Sequence, residues 1–268
     1  MFFRAHEAVE CVKSGDWVEY TTNVGYPPTL DKALSERRDE LRNVKIRGDL
    51  IFGPIHVAEC DPTLEHFVYN TWHCSGYERK LCDQGRAFFT PMVFRNLAWY
   101  YKNFLEADVC MVTVSPMDKH GYFYFGGSVG VSKCIADKSK IVIVEVNENV
   151  PRIRGGFDEA IHISEVDYIV ESDNPPLYEM KNPAPTQEDK CIASYILPHI
   201  VDGATVQLGI GGGLLFLDFE NLLRYSVNRG HGVLHLKRLV LLPEVLFTEK
   251  NRHGCGRFRK TPLHTAKA

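Results

Sequence analysis

Two short stretches that are apolar at almost every position constrain the fold most strongly. Residues 107–114 (ADVCMVTV) and 140–146 (KIVIVEV) each have the length of one β-strand. A strand that is apolar on both faces is typical of a parallel sheet covered by helices on both sides. Residues 128–136 between them predict the crossover helix. The sequence therefore predicts an α/β fold built on an open, mostly parallel sheet.

The remaining patterns continue this alternation. Further strands are predicted at 17–21, 44–47, 50–52, 66–70, 167–170 and 204–208, and further helices at 5–13, 29–41, 97–105 and 187–200. A proline-rich stretch over 174–185 predicts a linker between two units of this kind.

Composition excludes several classes of protein. The chain is 44% hydrophobic and 24% charged, as globular proteins are, and no apolar run approaches the roughly 18–20 residues of a membrane-spanning helix. Residues 1–7 show no secretory signal, so we expect a cytoplasmic protein with no membrane partner. The eight cysteines form no C-x-x-C pair, which predicts buried thiols, no disulfide framework and no metal site.

Charge divides the chain into two parts. Residues 214–268 carry ten Lys and Arg against four Asp and Glu, whereas residues 1–213 carry 21 against 30. A basic C-terminal part is compatible with nucleic-acid binding. The acidic main part argues against it, so no nucleic-acid partner is expected.

A glycine-rich loop follows the strand predicted at 204–208. Glycines there allow a ligand to approach main-chain amides; the loop contains Gly209, Ile210, Gly211, Gly212 and Gly213. It lacks the Lys-Ser/Thr of a P-loop and the spacing of a dinucleotide fingerprint. An ordinary turn is an equally good interpretation.

Two polar segments follow the central strands, where open α/β sheets bind their ligands. Ser115, Asp118 and His120 suggest a catalytic triad, but three residues within one turn rarely have triad geometry. The alternative is a structured turn in which Ser115 and Asp118 satisfy loop amides.

The second polar segment follows the strand at 140–146. Asn147, Glu148 and Asn149 would reach the same edge of the sheet as the first segment. We expect them, together with Ser115, Asp118 and His120, on an active-site rim. For Glu148 and Asn149 a solvated loop or a cap is the equal alternative.

Several motifs occur in a fixed order over about four fifths of the chain. They are EAV at 7–9, KSGDW at 13–17, WH at 72–73, ERK at 78–80, SPMDKHGYF at 115–123, VEVNEN at 144–149, HISEVD at 162–167 and DGATVQLGIGG at 202–212. With these motifs the chain resembles the acetyl-CoA hydrolase/transferase family, and most closely its butyryl-CoA:acetate and 4-hydroxybutyrate CoA-transferase branch.

The resemblance implies two related α/β domains with the active site between them. Such enzymes transfer coenzyme A from an acyl-CoA to a carboxylate such as acetate, through a mixed anhydride and a glutamyl-CoA thioester, without metal or other cofactor. Residues 209–213 would contact CoA, with the match secure to Gly212. The loop Gly25–Pro27 is a looser candidate for an oxyanion contribution.

After Gly212 the resemblance stops. The family continues with a His-Thr/Ser-Glu motif carrying the catalytic glutamate, whereas residues 229–235 here (RGHGVLH) contain no carboxylate. We therefore expect a CoA-transferase domain at 1–180, a linker at 181–190, the start of an incomplete second α/β domain at 191–213 and a divergent basic tail at 214–268. A frame-shifted or truncated reading would produce such a tail, and the alternative is a genuine docking segment.

Three functional hypotheses stay open at this point. The chain is a CoA-transferase, weak or inactive alone because it lacks the glutamate; or a non-catalytic fragment that binds CoA or a partner; or a hydrolase that uses water as acceptor. An incomplete second domain would expose the apolar strand at 204–208, which favours homo-oligomers.

Overall fold

The structure is a computed structural model that describes residues 2–154, 157–178, 186–200, 205–208 and 238–241. The chain divides into two compact units, Met1–Tyr178 and Glu179–Ala268.

The first unit alternates strands and helices. Its strands are β1 (Phe2–Phe3), β2 (Trp17–Thr22), β3 (Val44–Asp49), β4 (Phe67–Thr71), β5 (Ala87–Phe89), β6 (Val109–Val114), β7 (Tyr122–Tyr124), β8 (Ile141–Val146), β9 (Ala160–His162) and β10 (Tyr168–Glu171). Its helices are α1 (Ala5–Val9), α2 (Pro28–Glu36), α3 (His56–Cys60), α4 (Gly76–Asp83), α5 (Phe94–Asn103) and α6 (Ser132–Lys138). Two short 3-10 helices cover Asn23–Gly25 and Ile163–Glu165.

Eight of these strands form one sheet, in the order β1-β10-β8-β6-β2-β3-β4-β5. Every pairing in it is parallel, and β7 and β9 form a separate antiparallel ribbon. The prediction of an open, mostly parallel α/β sheet is confirmed.

Apolar side chains cover both faces of this sheet. One cluster gathers Val18, Tyr20 and Ile46 with the side chains of α1, α2 and α3, and the other packs Val112 and Val144 with those of α5 and α6. Strands β6 and β8 contribute to both clusters, which is why their sequences are apolar on successive residues.

Some local predictions were wrong. The predicted strand at 50–52 is absent, since Leu50 has a positive φ of 53° and the chain turns there. Helix α4 lies in a segment for which no element was predicted, although Ser75 and Glu78 form a capping box at its start.

The cysteines are free thiols wherever the structure describes them. The prediction that they are buried holds for Cys110 and is wrong for Cys191, which is exposed; the other described thiols are partly buried. Burial raises the pKa of Cys11 and of Cys60 to about 11, so both are protonated at neutral pH. Across the described parts of the chain, none of the helices has the length and apolar character needed to cross a bilayer.

The second unit contains helix α7 (Gln187–Ile196), a 3-10 helix at Leu197–His199, and the strands β11 (Thr205–Leu208) and β12 (Arg238–Leu241). The Thr186 side chain caps α7 by accepting the Asp189 N–H at 3.1 Å. Strands β11 and β12 pair in parallel, and β12 falls in the segment predicted as a divergent tail. The rest of that segment lies outside the described residues, and the predicted domain boundaries stay predictions.

Candidate active site at the carboxyl edge

The eight parallel strands end along one edge of the sheet, and the chain order reverses there between β2 and β6. Strands β3, β4 and β5 follow on one side of β2, whereas β6, β8 and β10 lie on the other side. Open α/β sheets bind ligands in the crevice at such a switch point. The two segments that leave these neighbouring strands are residues 23–27 and 115–121.

The switch-point loop, residues 23–27, joins β2 to α2 and is tied to β6. Thr113 Oγ1 donates to the Tyr26 carbonyl at 2.7 Å. A Cβ on Gly25 would lie 2.1 Å from Thr21 Oγ1, so only glycine fits at this position without rearrangement. The loop main chain is therefore held close against both β2 and β6.

Helix α2 begins directly after this loop and receives its cap from a distant strand. Its N-cap residue, Pro27, makes no side-chain capping bond. The carboxylate of Glu145, on β8, instead accepts the Thr29 N–H at 3.3 Å and the Leu30 N–H at 2.9 Å. Glu145 is fully buried. Burial raises its pKa to about 7, against the opposing effect of the Leu30 amide.

A second buried carboxylate, Asp31, lies in the first turn of α2. It accepts hydrogen bonds from the Tyr20 hydroxyl at 2.9 Å, the Tyr26 hydroxyl at 2.6 Å and the His56 N–H at 2.6 Å. Burial raises the pKa of Asp31, while the hydrogen bond from Tyr26 opposes the rise. These bonds connect the loop side chain to α2, β2 and α3.

A third buried carboxyl group, Asp49, stands at the end of β3 beside Thr22. Asp49 is 7% exposed and accepts a hydrogen bond from Thr22 Oγ1. Its other oxygen, Oδ1, has no hydrogen-bond partner among the described residues. Burial raises the pKa of Asp49, with the hydrogen bond from Thr22 acting in the opposite direction.

In the described part of the chain, no hydrogen bond joins the side chains of Ser115, Asp118 and His120 to one another as a triad requires. Asp118 Oδ1 accepts the main-chain N–H groups of His120 at 2.8 Å and Tyr122 at 3.0 Å. Ser115 is fully buried, and its hydroxyl contacts the Pro116 carbonyl and the Tyr124 N–H, each at 3.1 Å. The residues form the structured turn that was the alternative, and the His120 side chain is exposed.

The predicted rim residues after β8 serve mainly to fasten another segment. Asn147 is buried, and its Nδ2 donates to the Pro175 carbonyl at 3.0 Å. Asn149 Nδ2 donates to the Asn174 carbonyl at 2.8 Å. The Glu148 side chain is exposed. A rim position for the three is compatible with this geometry, and a ligand role for them stays a prediction.

Sequence reasoning did not propose Glu145, Asp31 or Asp49 as site residues. Each is a carboxyl group inside or directly beside an apolar segment, and each is buried. Burial of an ionisable group is costly unless it is hydrogen-bonded, so such residues concentrate at functional positions. One sequence signal could have indicated such a residue: a single acidic residue within an apolar strand, as in IVIVEV at 141–146.

The predicted CoA-contacting loop lies outside the described residues. Gly209, Ile210, Gly211, Gly212 and Gly213 follow the last residue of β11. Their role stays a prediction.

The fold and this edge define an open α/β protein in which the chain order reverses between β2 and β6. The chain belongs to the acetyl-CoA hydrolase/transferase family, because the model of that family's N-terminal domain matches residues 1–178. The resemblance stated from the sequence motifs is confirmed.

Known relatives agree with this assignment. Butyryl-CoA:acetate CoA-transferase from Anaerostipes caccae is 46% identical over 210 residues, which are 78% of this chain and 47% of the relative. RipA from Yersinia pestis has a similar structure, with a TM-score of 0.72, 31% identity, and coverage of 81% of this chain and 52% of RipA.

A named CoA-transferase also shares the fold. The structure of 4-hydroxybutyrate CoA-transferase from Porphyromonas gingivalis matches with a TM-score of 0.60 and 26% identity, over 85% of this chain and 51% of that protein. The sheet is therefore of the CoA-transferase type. The chain spans about half the length of the curated relatives it matches.

Proposed function

We propose that this chain is part of a CoA-transferase that moves coenzyme A from a short-chain acyl-CoA, such as butyryl-CoA, to acetate or a related carboxylate. The observation that carries the proposal is the family match over residues 1–178 together with 46% identity to a butyryl-CoA:acetate CoA-transferase. The acyl-CoA and the carboxylate are the partners, and the CoA thioester is a substrate, so no separate cofactor is required.

The proposed chemistry is nucleophilic catalysis by a carboxylate. A glutamate attacks the acyl-CoA carbonyl and expels the CoA thiolate, which leaves a mixed anhydride; the thiolate then attacks the glutamyl carbonyl, forms the glutamyl-CoA thioester and releases the donor's acid as a free carboxylate. The acceptor carboxylate runs the same two steps in reverse: it attacks the thioester and expels the thiolate, which then attacks the acceptor's acyl carbonyl, forms the new acyl-CoA and frees the glutamate. The bonds exchanged are of similar energy, and the oxyanion at each step needs main-chain N–H donors. The switch-point loop, residues 23–27, is the candidate donor in the described part, and residues 209–213 are the candidate CoA contact.

We propose that this chain departs from the family after Gly212, because residues 229–235 (RGHGVLH), where the motif that carries the catalytic glutamate is expected, contain no carboxylate. We therefore propose that the chain alone binds CoA and forms little or no covalent intermediate. The departure also favours a second function, in which the chain is a non-catalytic CoA-binding or partner-binding protein. Translating the coding DNA across Gly211–Leu215 in all three frames separates a frame shift from a genuine tail.

The activity test uses the purified chain and butyryl-CoA. A covalent CoA adduct that is cleaved by hydroxylamine, with acetyl-CoA formed after addition of acetate, would show that the chain is itself a transferase. CoA binding without an adduct supports the non-catalytic function. Release of free butyrate in the absence of acetate would identify a hydrolase. Absence of CoA binding contradicts the transferase, the hydrolase and the CoA-binding protein alike, and leaves only the partner-binding function.

A further inference from the structure

The contacts at the start of α2 point to a role for a residue that the proposed chemistry does not use. We propose that Glu145 is a positioning residue, which holds the switch-point loop in place by capping α2 from the neighbouring part of the sheet. The inference rests on the proposed function for the identity of the ligand that the loop would contact, and on the structure alone for the positioning itself.

The local sequence leaves α2 without a cap of its own. Pro28 is the first helical residue and has no N–H, so Thr29 and Leu30 carry the first two N–H groups that need acceptors. Side chains of Ser, Thr, Asp or Asn normally supply the acceptor at the N-cap position, which Pro27 occupies here. Glu145 accepts both N–H groups instead. A carboxylate at this end is also favoured by the helix dipole.

Glu145 and its neighbour in the sheet, Thr113, both bind the segment that joins β2 to α2. Glu145 on β8 pairs in register with Thr113 on β6. Thr113 Oγ1 binds the Tyr26 carbonyl at 2.7 Å, and Glu145 binds the Leu30 N–H at 2.9 Å. Two adjacent side chains of the sheet therefore fix the segment before and after the two prolines. Loss of either contact removes one of the hydrogen bonds that hold the segment against β6 and β8.

Burial of a carboxyl group at this position lowers the stability of the fold. Glu145 is fully buried, and its strand neighbours are Thr113 and Val170, neither of which is charged. An apolar residue would suit a strand that is otherwise apolar, and a local N-cap would satisfy α2 without burying a charge. Positioning of the switch-point loop explains why the costly arrangement is present.

The test compares Glu145→Gln with the wild type by NMR-detected amide hydrogen exchange at pH 8, above the raised pKa of Glu145. Glu145 accepts the Thr29 N–H with Oε1 and the Leu30 N–H with Oε2. Glutamine has the same shape but carries an NH2 donor in place of one of these oxygens, so one of the two N–H groups loses its acceptor in this arrangement. We expect the protection factors of the Thr29, Leu30 and Tyr26 amides to fall about fivefold or more. A change of this size corresponds to the stability that a helix loses with its N-cap. Glu171→Gln is the matched control, because Glu171 is an exposed carboxylate at the end of the neighbouring strand β10.

Protection that is unchanged, or that falls equally at all core amides, would overturn the proposal. A second measurement needs only the wild type: if Glu145 holds the loop, the amides of Tyr26 and Leu30 open with the same free energy. A Tyr26 amide that exchanges far faster than that of Leu30 contradicts it even if the variant does not fold.

A measurement of ligand binding tests the positioning role of Glu145 separately from the proposed CoA-transferase function. We expect the Kd for butyryl-CoA, measured by calorimetry, to rise in Glu145→Gln and to stay unchanged in Glu171→Gln. A wild-type chain that binds no butyryl-CoA would defeat the proposed function, and the exchange measurements would still decide the role of Glu145. Measurable binding that is equal in the wild type and Glu145→Gln overturns the inference that the loop held by Glu145 contacts the ligand.

Discussion

Thr21 occupies the space that a side chain on Gly25 would need, with Oγ1 2.1 Å from the position of a Cβ. Thr21 Oγ1 is buried and has no hydrogen-bond partner within the described residues. We expect Gly25→Ala to lower the free energy of unfolding by about 1–3 kcal/mol, the usual cost of overpacking. Urea denaturation measures this change directly.

The control for this substitution is Gly53→Ala. A Cβ on Gly53 would have no heavy atom within 4 Å, so alanine should leave the unfolding free energy unchanged or raise it by about 0.4–1 kcal/mol. Equal effects of the two substitutions would show that the loop next to Thr21 adapts without cost.

The buried ion pair between Arg47 and Glu19 gives the second prediction. Both side chains are nearly inaccessible, and Glu19 also accepts the hydroxyl of Tyr101 while Arg47 stacks 3.7 Å over the Trp17 ring. Burial raises the pKa of Glu19 to about 7, so the pair is best studied at pH 8. We expect Arg47→Ala to cost about 3–5 kcal/mol, because it leaves the buried Glu19 carboxylate without its opposite charge and with only the Tyr101 hydroxyl as partner.

An exposed pair in the same protein is the comparison. Arg42 and Glu65 are 3.3 Å apart with side chains 59% and 66% exposed. Glu65→Ala should change the unfolding free energy by less than about 1 kcal/mol. A loss in Arg47→Ala no larger than this would mean that water reaches Glu19 once the arginine is removed.

The raised pKa of Glu145 predicts how stability depends on pH. The folded protein binds the proton of this group up to about pH 7, whereas the unfolded chain releases it near its ordinary value of 4.5. Stability from this group is therefore fully present below about pH 4.5 and is lost as the pH rises through 7, by on the order of 1–3 kcal/mol.

Urea denaturation at pH 5 and pH 8 tests this dependence. Glu145→Gln should lose less stability than the wild type between the two values, and Glu171→Gln should follow the wild type. Identical pH dependence of the wild type and Glu145→Gln would contradict a raised pKa. Glu19 contributes in the same direction in all three proteins, so it cancels from the comparison.

Much of the fold was predictable because its strands are long and apolar on both faces. Residues 109–114 and 141–146 form strands as expected, and so does the segment that follows Asp16. The strand order was not predictable, because the apolar strands have similar sequences and nothing in them indicates which strands pair with each other. Strands of three residues such as β5 and β9 were missed because periodicity needs a longer window.

The edge that carries the candidate site was predictable, whereas its contacts were not. Residues after β6 and β8 were expected there because parallel strands end at one edge. The link from Glu145 to Leu30 joins residues 115 positions apart, and no local pattern contains it. The polar turn after Ser115 resembled a triad only in composition, since Asp118 is used by main-chain N–H groups of its own loop.

That turn supplies the last prediction. The N–H of Tyr122 is the largest influence that lowers the pKa of Asp118, and the N–H of His120 adds to it. We expect Asp118→Ala to speed amide exchange at His120 and Tyr122 about tenfold, the effect of losing such hydrogen bonds. Asp118→Asn keeps an acceptor oxygen and should preserve most of the protection.

The triad hypothesis makes the opposite prediction for His120. Its side chain is exposed, while the contact that orders the turn comes from its main-chain N–H. His120→Ala should therefore leave both loop exchange and butyryl-CoA binding unchanged. If instead Ser115→Ala, Asp118→Asn and His120→Ala abolished thioester cleavage to the same extent, the three side chains would act as a catalytic unit, and the turn would have to rearrange when substrate binds.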